Sequence, residues 1–312
     1  MKTALIFPGQ GSQFVGMGKD FYENYSISRD VFRNLDDVLG TKMSKLIFNG
    51  DPETLSQTQN SQPSIMATSI AIYQALLHEN LLSSDSFDCV AGHSLGEYSA
   101  LVVNQSLEFE SSVKLLKVRS KAMQESMPIG TGAMIAIIGC SKEIIEQVII
   151  DVKQYGEVFI ANDNADGQVV LSGESNAIKY IASNSKSLNV KRAIVLPVSA
   201  PFHCKLIKNA SDVLSSEINK YEFQPFSVPF YSNVTSKICD EKSIKKLLIE
   251  QVVSKVRWRE IVHNMLEDGI KNFIEIGPGN VLSNLVRRAS KNVNVISISK
   301  LEDLDKLDKV PV

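Results

Sequence analysis

The 312-residue sequence predicts an α/β protein, and three observations carry that expectation. Apolar runs of strand length alternate with longer helix-like runs from the start of the chain, as in a mainly parallel sheet covered by helices. Glycine turns follow several of the strand-like runs. Near the middle the alternation gives way to a block with an element order of its own.

The first strand is read in "TALIFPG" (3–9). "SIMATSIAIYQALLHEN" (64–80) follows as a helix, and "FDCV" (87–90) as a short buried strand. "LGEYSALVV" (95–103) and "ESSVKLLKVRSKAMQESM" (110–127) are the next two helices. After the break "PIGTG", residues 133–139 read as a strand and 141–156 as a helix. "VFIAND" and "GQVVLSG" form a hairpin, 175–189 a second helix and "KRAIVLP" a last strand. That order, β-α-β-β-α-β, is the ferredoxin-like unit. The expected organisation is therefore a large α/β domain of residues 1–126 and 198–312, with a small ferredoxin-like subdomain at 127–197. "KNFIEIGPGNVLSNLVRRA" (271–289) reads as the large domain's final strand, glycine turn and helix, and "LEDLDKLDKVPV" is expected to fray.

With 44% hydrophobic and 22% charged residues, the chain has globular composition and the length to bury a sizeable core. A net charge of -2 gives no general attraction for nucleic acid or an anionic membrane. No apolar stretch reaches the roughly 18 residues of a membrane span, and the N-terminus lacks a signal-peptide layout. A soluble, cytoplasmic protein is expected. Cys89, Cys140, Cys204 and Cys239 are scattered without C-x-x-C spacing, so reduced, structural cysteines are expected, with no metal site.

The chemistry starts at "CVAGHSLGEYSA", where Ser94 stands in a G-x-S-x-G frame between a strand and a helix. A sharp strand-to-helix turn lifts such a serine above the sheet, as in α/β-hydrolase-like domains, and leaves first-turn N–H groups free to meet negative charge. Taken alone, the frame fits either a nucleophile or a serine in a turn. "FPGQGSQFVGMG" does not fit a dinucleotide loop, because Phe14 stands where the third glycine belongs, and it lacks the P-loop lysine. It reads as a glycine turn after the first strand, where Gln10 could aim its backbone N–H at the same place as Ser94. An oxyanion needs two donors, and Leu95, after the serine, offers the other.

A serine nucleophile needs a base. His78 ends a helix, His263 lies inside a helical run, and His93 precedes the serine, so that its side chain should turn away from it. His203, in the proline-braced loop "LPVSAPFHC", is the best candidate. No acidic residue occupies an obvious third position, which points to a dyad whose imidazole is oriented by a backbone carbonyl. Arg119 shares its helix with Lys114, Lys117 and Lys121. It is either part of a solvated face or a fork for a substrate carboxylate.

These segments together resemble the malonyl-CoA:acyl carrier protein transacylase family of bacterial fatty acid synthesis. "FPGQGSQ", "QPS", "GHSLGEYSA", "VRSKAMQ", "GAMIAIIG", "NDNADGQVVLSG", "VSAPFH" and "IEIGPGNVL" match it in order over nearly the whole chain. The resemblance implies Ser94 as acyl-accepting nucleophile, His203 as general base and acid, and Arg119 as the clamp on a malonyl carboxylate. It implies Gln10 and Leu95 as the oxyanion-hole pair, Gln251 as the donor of the carbonyl that orients His203, and Asn162 and Asn164 beside the pantetheine arm. Phe202 resembles a ring that selects malonyl over methylmalonyl. The substrates implied are malonyl-CoA and holo acyl carrier protein, with no cofactor, and the protein is expected to be a monomer. Arg287, Arg288 and Lys291 are candidates for a cationic rim facing an acidic carrier. A discrete polyketide synthase acyltransferase would share every motif. A serine hydrolase would share only the elbow, and a non-enzymatic docking protein would not need Ser94 and His203 together.

Overall fold

A computed structural model describes residues 1–198 and 200–310, and its strands form two sheets. Ser199 of the "VSAPFH" motif and the last two residues lie outside the described residues. The larger sheet takes β1 (Lys2–Phe7), β2 (Cys89–Gly92), β7 (Phe230–Tyr231), β8 (Ile238–Cys239), β9 (Ile270–Ile276) and β10 (Asn294–Ile298), in the order β10-β9-β1-β2-β7-β8. Its pairings are parallel except β7 with β8. The smaller sheet is antiparallel throughout: β3 (Gly132–Ile138), β4 (Val158–Ala165), β5 (Gln168–Glu174) and β6 (Arg192–Val195), in the order β4-β5-β3-β6.

Central β1 shows why its sequence is an unbroken apolar run. Leu5 and Phe7 point into one core, while Ala4 and Ile6 point into another on the opposite face. The first core is built by α1 (Lys19–Asn24), α2 (Ser26–Leu39), α3 (Met43–Asn49), α4 (Pro52–Ser56), α5 (Thr58–His78), α6 (Gly96–Val103) and α7 (Phe109–Glu125). Helix α5 runs through its centre and is buried on nearly every side. The small sheet carries α8 (Lys142–Asp151) and α9 (Ser175–Ser183) over a separate core of Ile135, Ile137, Leu171 and Ile178. Helices α10 (Lys208–Ile218) and α11 (Glu241–Val253) return to the first core. On the opposite face α12 (Trp258–Glu267) and α13 (Val281–Ala289) pack Trp258, Ile261 and Leu285 against the sheet.

Alternation along β3 and β5 sends Met134 and Val170 to the face away from α8 and α9, where they join the first core. That face meets the large sheet's elements. Strand β4 is tied to the loop before α12, with Asp163 N–H donating to Val256 O at 2.9 Å and Val256 N–H to Ala161 O at 2.8 Å. Arg259 grips the Asp163 carboxylate through two bonds of 2.9 Å each.

Two expectations are corrected. Strand β9 is not the last: "NVISI" adds β10 in parallel beside it, a five-residue edge strand carried by the β-branched residues Val295, Ile296 and Ile298. The C-terminal stretch does not fray as a whole, because Leu301–Lys309 forms a 3₁₀ helix that buries Leu307 and is followed by buried Val310. The four cysteines are free thiols, with only Cys239 partly exposed. Among the described residues no helix is long and apolar enough to cross a membrane.

Candidate active site

The turn from β2 into α6 leaves three residues, His93, Ser94 and Leu95, between Gly92 and Gly96. The approach is too close for side chains at either glycine. A Cβ on Gly92 would lie 1.8 Å from the Gly96 carbonyl carbon, and one on Gly96 would lie 2.3 Å from Phe7 O. Ser94 takes up the sharp bend in the left-handed region, at φ 55°. Its own N–H is held by Asn233 Oδ1 at 2.7 Å, and its hydroxyl reaches a cleft of about 230 Å³ between the two sheets.

His203 enters that cleft from the loop after β6, also in the left-handed region at φ 61°. Its Nε2 lies 2.7 Å from Ser94 Oγ, and its Nδ1 lies 2.8 Å from the backbone carbonyl of Gln251 in α11. A carbonyl can only accept, which assigns the proton to Nδ1 and leaves Nε2 to accept from the serine hydroxyl. Burial, joined by the charge of Arg119, pushes the imidazole down to about 3, so the ring is neutral at ordinary pH.

Arg119 faces inward from α7, fully buried, while Lys114, Lys117 and Lys121 take the exposed side. Its Nη1 donates to Gln62 Oε1 at 2.6 Å, and its Nη2 donates to Gln251 Oε1 at 2.8 Å and to Ser94 Oγ at 3.0 Å. The Tyr98 ring centroid lies 5.8 Å from the guanidinium carbon. Its Nε has no hydrogen-bond partner among the described residues.

Gln10 and Leu95 are the two expected oxyanion donors. Gln10 lines the cleft, and among the described residues neither its backbone N–H nor that of Leu95 has a hydrogen-bond acceptor. Phe202, Met123, Met134, Val170 and Leu196 supply an apolar wall, and Asn162 and Asn164 line the cleft from β4. Asn164 Oδ1 also accepts from His93 Nε2 at 2.9 Å, so His93 makes a structural bond rather than reaching Ser94 as a base. His78 and His263 pair with Glu79 and Glu267 on the surface, away from the cleft. Arg287, Arg288 and Lys291 are exposed at the end of α13, the helix whose Val281, Leu282 and Leu285 line the cleft.

Sequence reasoning missed three members of this network. Gln62 was visible only as part of "QPS", with nothing local to show that it would hold Arg119. Glu97 lay inside a helix read for its apolar residues. Asn233 is 139 positions from the serine it supports, and no spacing rule reaches across that distance.

Comparison with known proteins gives the family. Residues 4–305 match the model of the acyl transferase domain, which sets the class of protein. The malonyl CoA-acyl carrier protein transacylase of Bacillus subtilis (strain 168) is 41% identical over 306 residues, 97% of this chain and 95% of its own. The crystal structure of an acyl-carrier-protein-S-malonyltransferase from Bartonella henselae superposes with a TM-score of 0.95 at 37% identity, covering 99% of each chain. A malonyl-transacylase solved in complex with its type II polyketide synthase acyl-carrier protein gives 0.94 at 36% identity, covering 100% of each chain. The chain belongs to the malonyl CoA-acyl carrier protein transacylase family of acyltransferases.

Proposed function

We propose that the chain moves a malonyl group from malonyl-CoA to the phosphopantetheine thiol of an acyl carrier protein, through a malonyl ester on Ser94. The observation that carries this reading is the convergence on one hydroxyl of the His203 imidazole at 2.7 Å and the buried Arg119 guanidinium at 3.0 Å. The first group makes the oxygen a nucleophile; the second gives the acyl group a reason to carry a carboxylate.

The reaction runs as two matched halves. His203 Nε2 takes the Ser94 proton as Oγ attacks the thioester carbonyl carbon. The resulting oxyanion is stabilised by the free N–H groups of Gln10 and Leu95, and it collapses by breaking the C–S bond. The departing coenzyme A sulfur takes the proton back from His203. In the second half His203 deprotonates the carrier thiol, sulfur attacks the ester carbon, and Ser94 leaves with that proton. The Gln251 carbonyl keeps the imidazole in the required tautomer throughout.

Arg119 pairs with the malonyl carboxylate, which is only two bonds from the ester carbonyl carbon and therefore falls near a guanidinium already in contact with Oγ. Its Nε, without a hydrogen-bond partner among the described residues, adds a further donor. Phe202 narrows the wall beside His203 against an α-methyl branch, and Asn162 and Asn164 flank the path of the pantetheine arm. Arg287, Arg288 and Lys291 offer positive charge to an acidic carrier at the end of the helix that lines the cleft. The antiparallel order β4-β5-β3-β6 supports reading 127–197 as a ferredoxin-like unit inserted between 1–126 and 198–312. Coenzyme A chemistry supports a cytoplasmic setting.

Fatty acid synthesis is the setting that the family resemblance implies. The complex with a type II polyketide synthase carrier supports a second reading that differs only in the carrier served. A hydrolase is disfavoured, because the imidazole is oriented by a carbonyl and an arginine lies buried beside the serine. The test is transfer itself. Malonyl-CoA should load a holo acyl carrier protein and leave the apo form, which lacks the thiol, unloaded. Equal consumption of malonyl-CoA with no loaded carrier would refute the reading.

A further inference from the structure

On the malonyl-transfer reading, which the following role presupposes, one buried carboxylate of the site has no part in the chemistry. Glu97 stands in the first turn of α6, three residues past the nucleophile, and is fully buried. Its Oε1 accepts the Asn233 backbone N–H at 2.6 Å, and its Oε2 accepts from Gln251 Nε2 at 2.5 Å. Both oxygens accept and neither donates among the described residues, an arrangement built for the carboxylate form. Burial pushes the Glu97 carboxyl up to about 8, and the two donors and the charge of Arg119 offset only part of that rise. The geometry, with an N–H on each oxygen and no acceptor for a carboxyl proton among the described residues, favours the carboxylate.

The partner it grips is the joint of the site. Gln251 Nε2 donates to Glu97 and, at 2.9 Å, to the Ser94 carbonyl, which leaves Oε1 to accept from Arg119 at 2.8 Å. The backbone carbonyl of the same residue holds His203 at 2.8 Å. Flipping the side-chain amide would set oxygen against the Glu97 carboxylate and put a donor against the Arg119 donor. Both contacts are repulsive, and in a buried site neither is relieved by water.

We infer that Glu97 is a positioning residue for acyl-group selection: by fixing the Gln251 amide, it keeps Arg119 beside Ser94, where a carboxylate-bearing acyl group is recognised. Its action on malonyl transfer runs through Arg119, so it should be felt more by malonyl than by an uncharged acyl group.

Glu97→Gln tests this with almost no change of shape. The new amide has one oxygen, which can accept from Asn233 or from Gln251, and its NH₂ group then meets the other donor. The measurement is kcat and KM for the coenzyme A half-reaction with malonyl-CoA and with acetyl-CoA as the neutral comparison. The malonyl KM should rise, and the malonyl-to-acetyl ratio of kcat/KM should fall by about 10-fold, as for the loss of one hydrogen bond to a charged group. In an Arg119→Ala background the same change should leave the ratio where Arg119→Ala alone puts it. A merely structural role would lower both substrates together, so an unchanged ratio in folded Glu97→Gln overturns the inference. Should circular dichroism show that variant unfolded, Glu97→Asp carries the test. Its shorter arm cannot span both donors and should shift the ratio in the same direction, and an unchanged ratio there is equally fatal. Wild-type protein that forms no malonyl-Ser94 would instead refute the functional reading, which keeps the two failures apart.

Discussion

Ser94 and His203 meet at 2.7 Å, and both do so from left-handed backbone conformations, at φ 55° and 61°. Neither residue is glycine, so each position stores strain that the surrounding fold must offset. At Ser94 the offset comes from Asn233, which receives the serine N–H and donates to Gly92 O at 2.7 Å on the other side of the bend. At His203 the imidazole itself is pinned at both nitrogens. The dyad is thus held ready before any substrate arrives.

The Arg119 contact separates acyl groups by charge. Replacing Arg119 with alanine should reduce kcat/KM for malonyl-CoA by roughly 10²- to 10³-fold, the scale for removing one partner of a buried ion pair. Acetyl transfer should fall far less. Parallel initial-rate measurements with the two thioesters decide the point, and comparable losses for both would remove the clamp.

His203 should also make the fold sensitive to acid. Its imidazole titrates at about 3 in the folded protein, against an ordinary value of 6.5 in the unfolded chain. The unfolded chain therefore binds the extra proton first, and the contribution to stability is complete above pH 6.5 and is lost as pH falls toward 3. By about pH 4.5 the loss should reach roughly 3 kcal/mol. Urea unfolding of wild type and His203→Gln at neutral pH and at about pH 4.5 measures it. The wild-type advantage should shrink by about that amount, and a constant difference between the two proteins would contradict the assignment.

The elbow has no room at its second glycine. Gly96→Ala would set a methyl 2.3 Å from Phe7 O and 3.0 Å from Pro8 O. Relief requires α6 to move away from β1, at a cost of about 1 to 3 kcal/mol, and carries Ser94 with it. Thermal melting should show a lowered but cooperative transition, and the folded variant should fail to acylate. A variant that acylates at the wild-type rate would mean that the elbow tolerates displacement.

Positive charge at the end of α13 should matter only when the carrier binds. Charge reversal at Arg287 and Arg288 should raise the carrier-protein KM several-fold, as rim charges do through association rate. The coenzyme A half-reaction should be unchanged. An unaltered carrier KM would place the docking surface elsewhere.

Much of this architecture could be read from the sequence because the deciding patterns are local. The apolar run of β1, the glycine frame around Ser94 and the β-α-β-β-α-β order of 133–197 each arise within a few dozen residues. His203 stands out among four histidines by its proline-braced loop, whereas the local pattern around Arg119 leaves it free to face either way on its helix, and only the family resemblance points it inward. Which way it faces is decided by Gln62 and Gln251, contributed by α5 and α11. Asn233 and Glu97 stayed hidden for the same reason: a buried polar network is chosen by tertiary closure, and one sequence carries no periodic trace of it. Strand β10 was missed because five residues at a sheet edge give little pattern to read.

The most direct test of the account is intact mass measurement after incubation with malonyl-CoA alone, followed by peptide mapping. One malonyl adduct should appear on Ser94, be absent from Ser94→Ala and disappear when holo acyl carrier protein is added. An adduct on a different residue, or an adduct on Ser94 that holo carrier protein leaves in place, would contradict it.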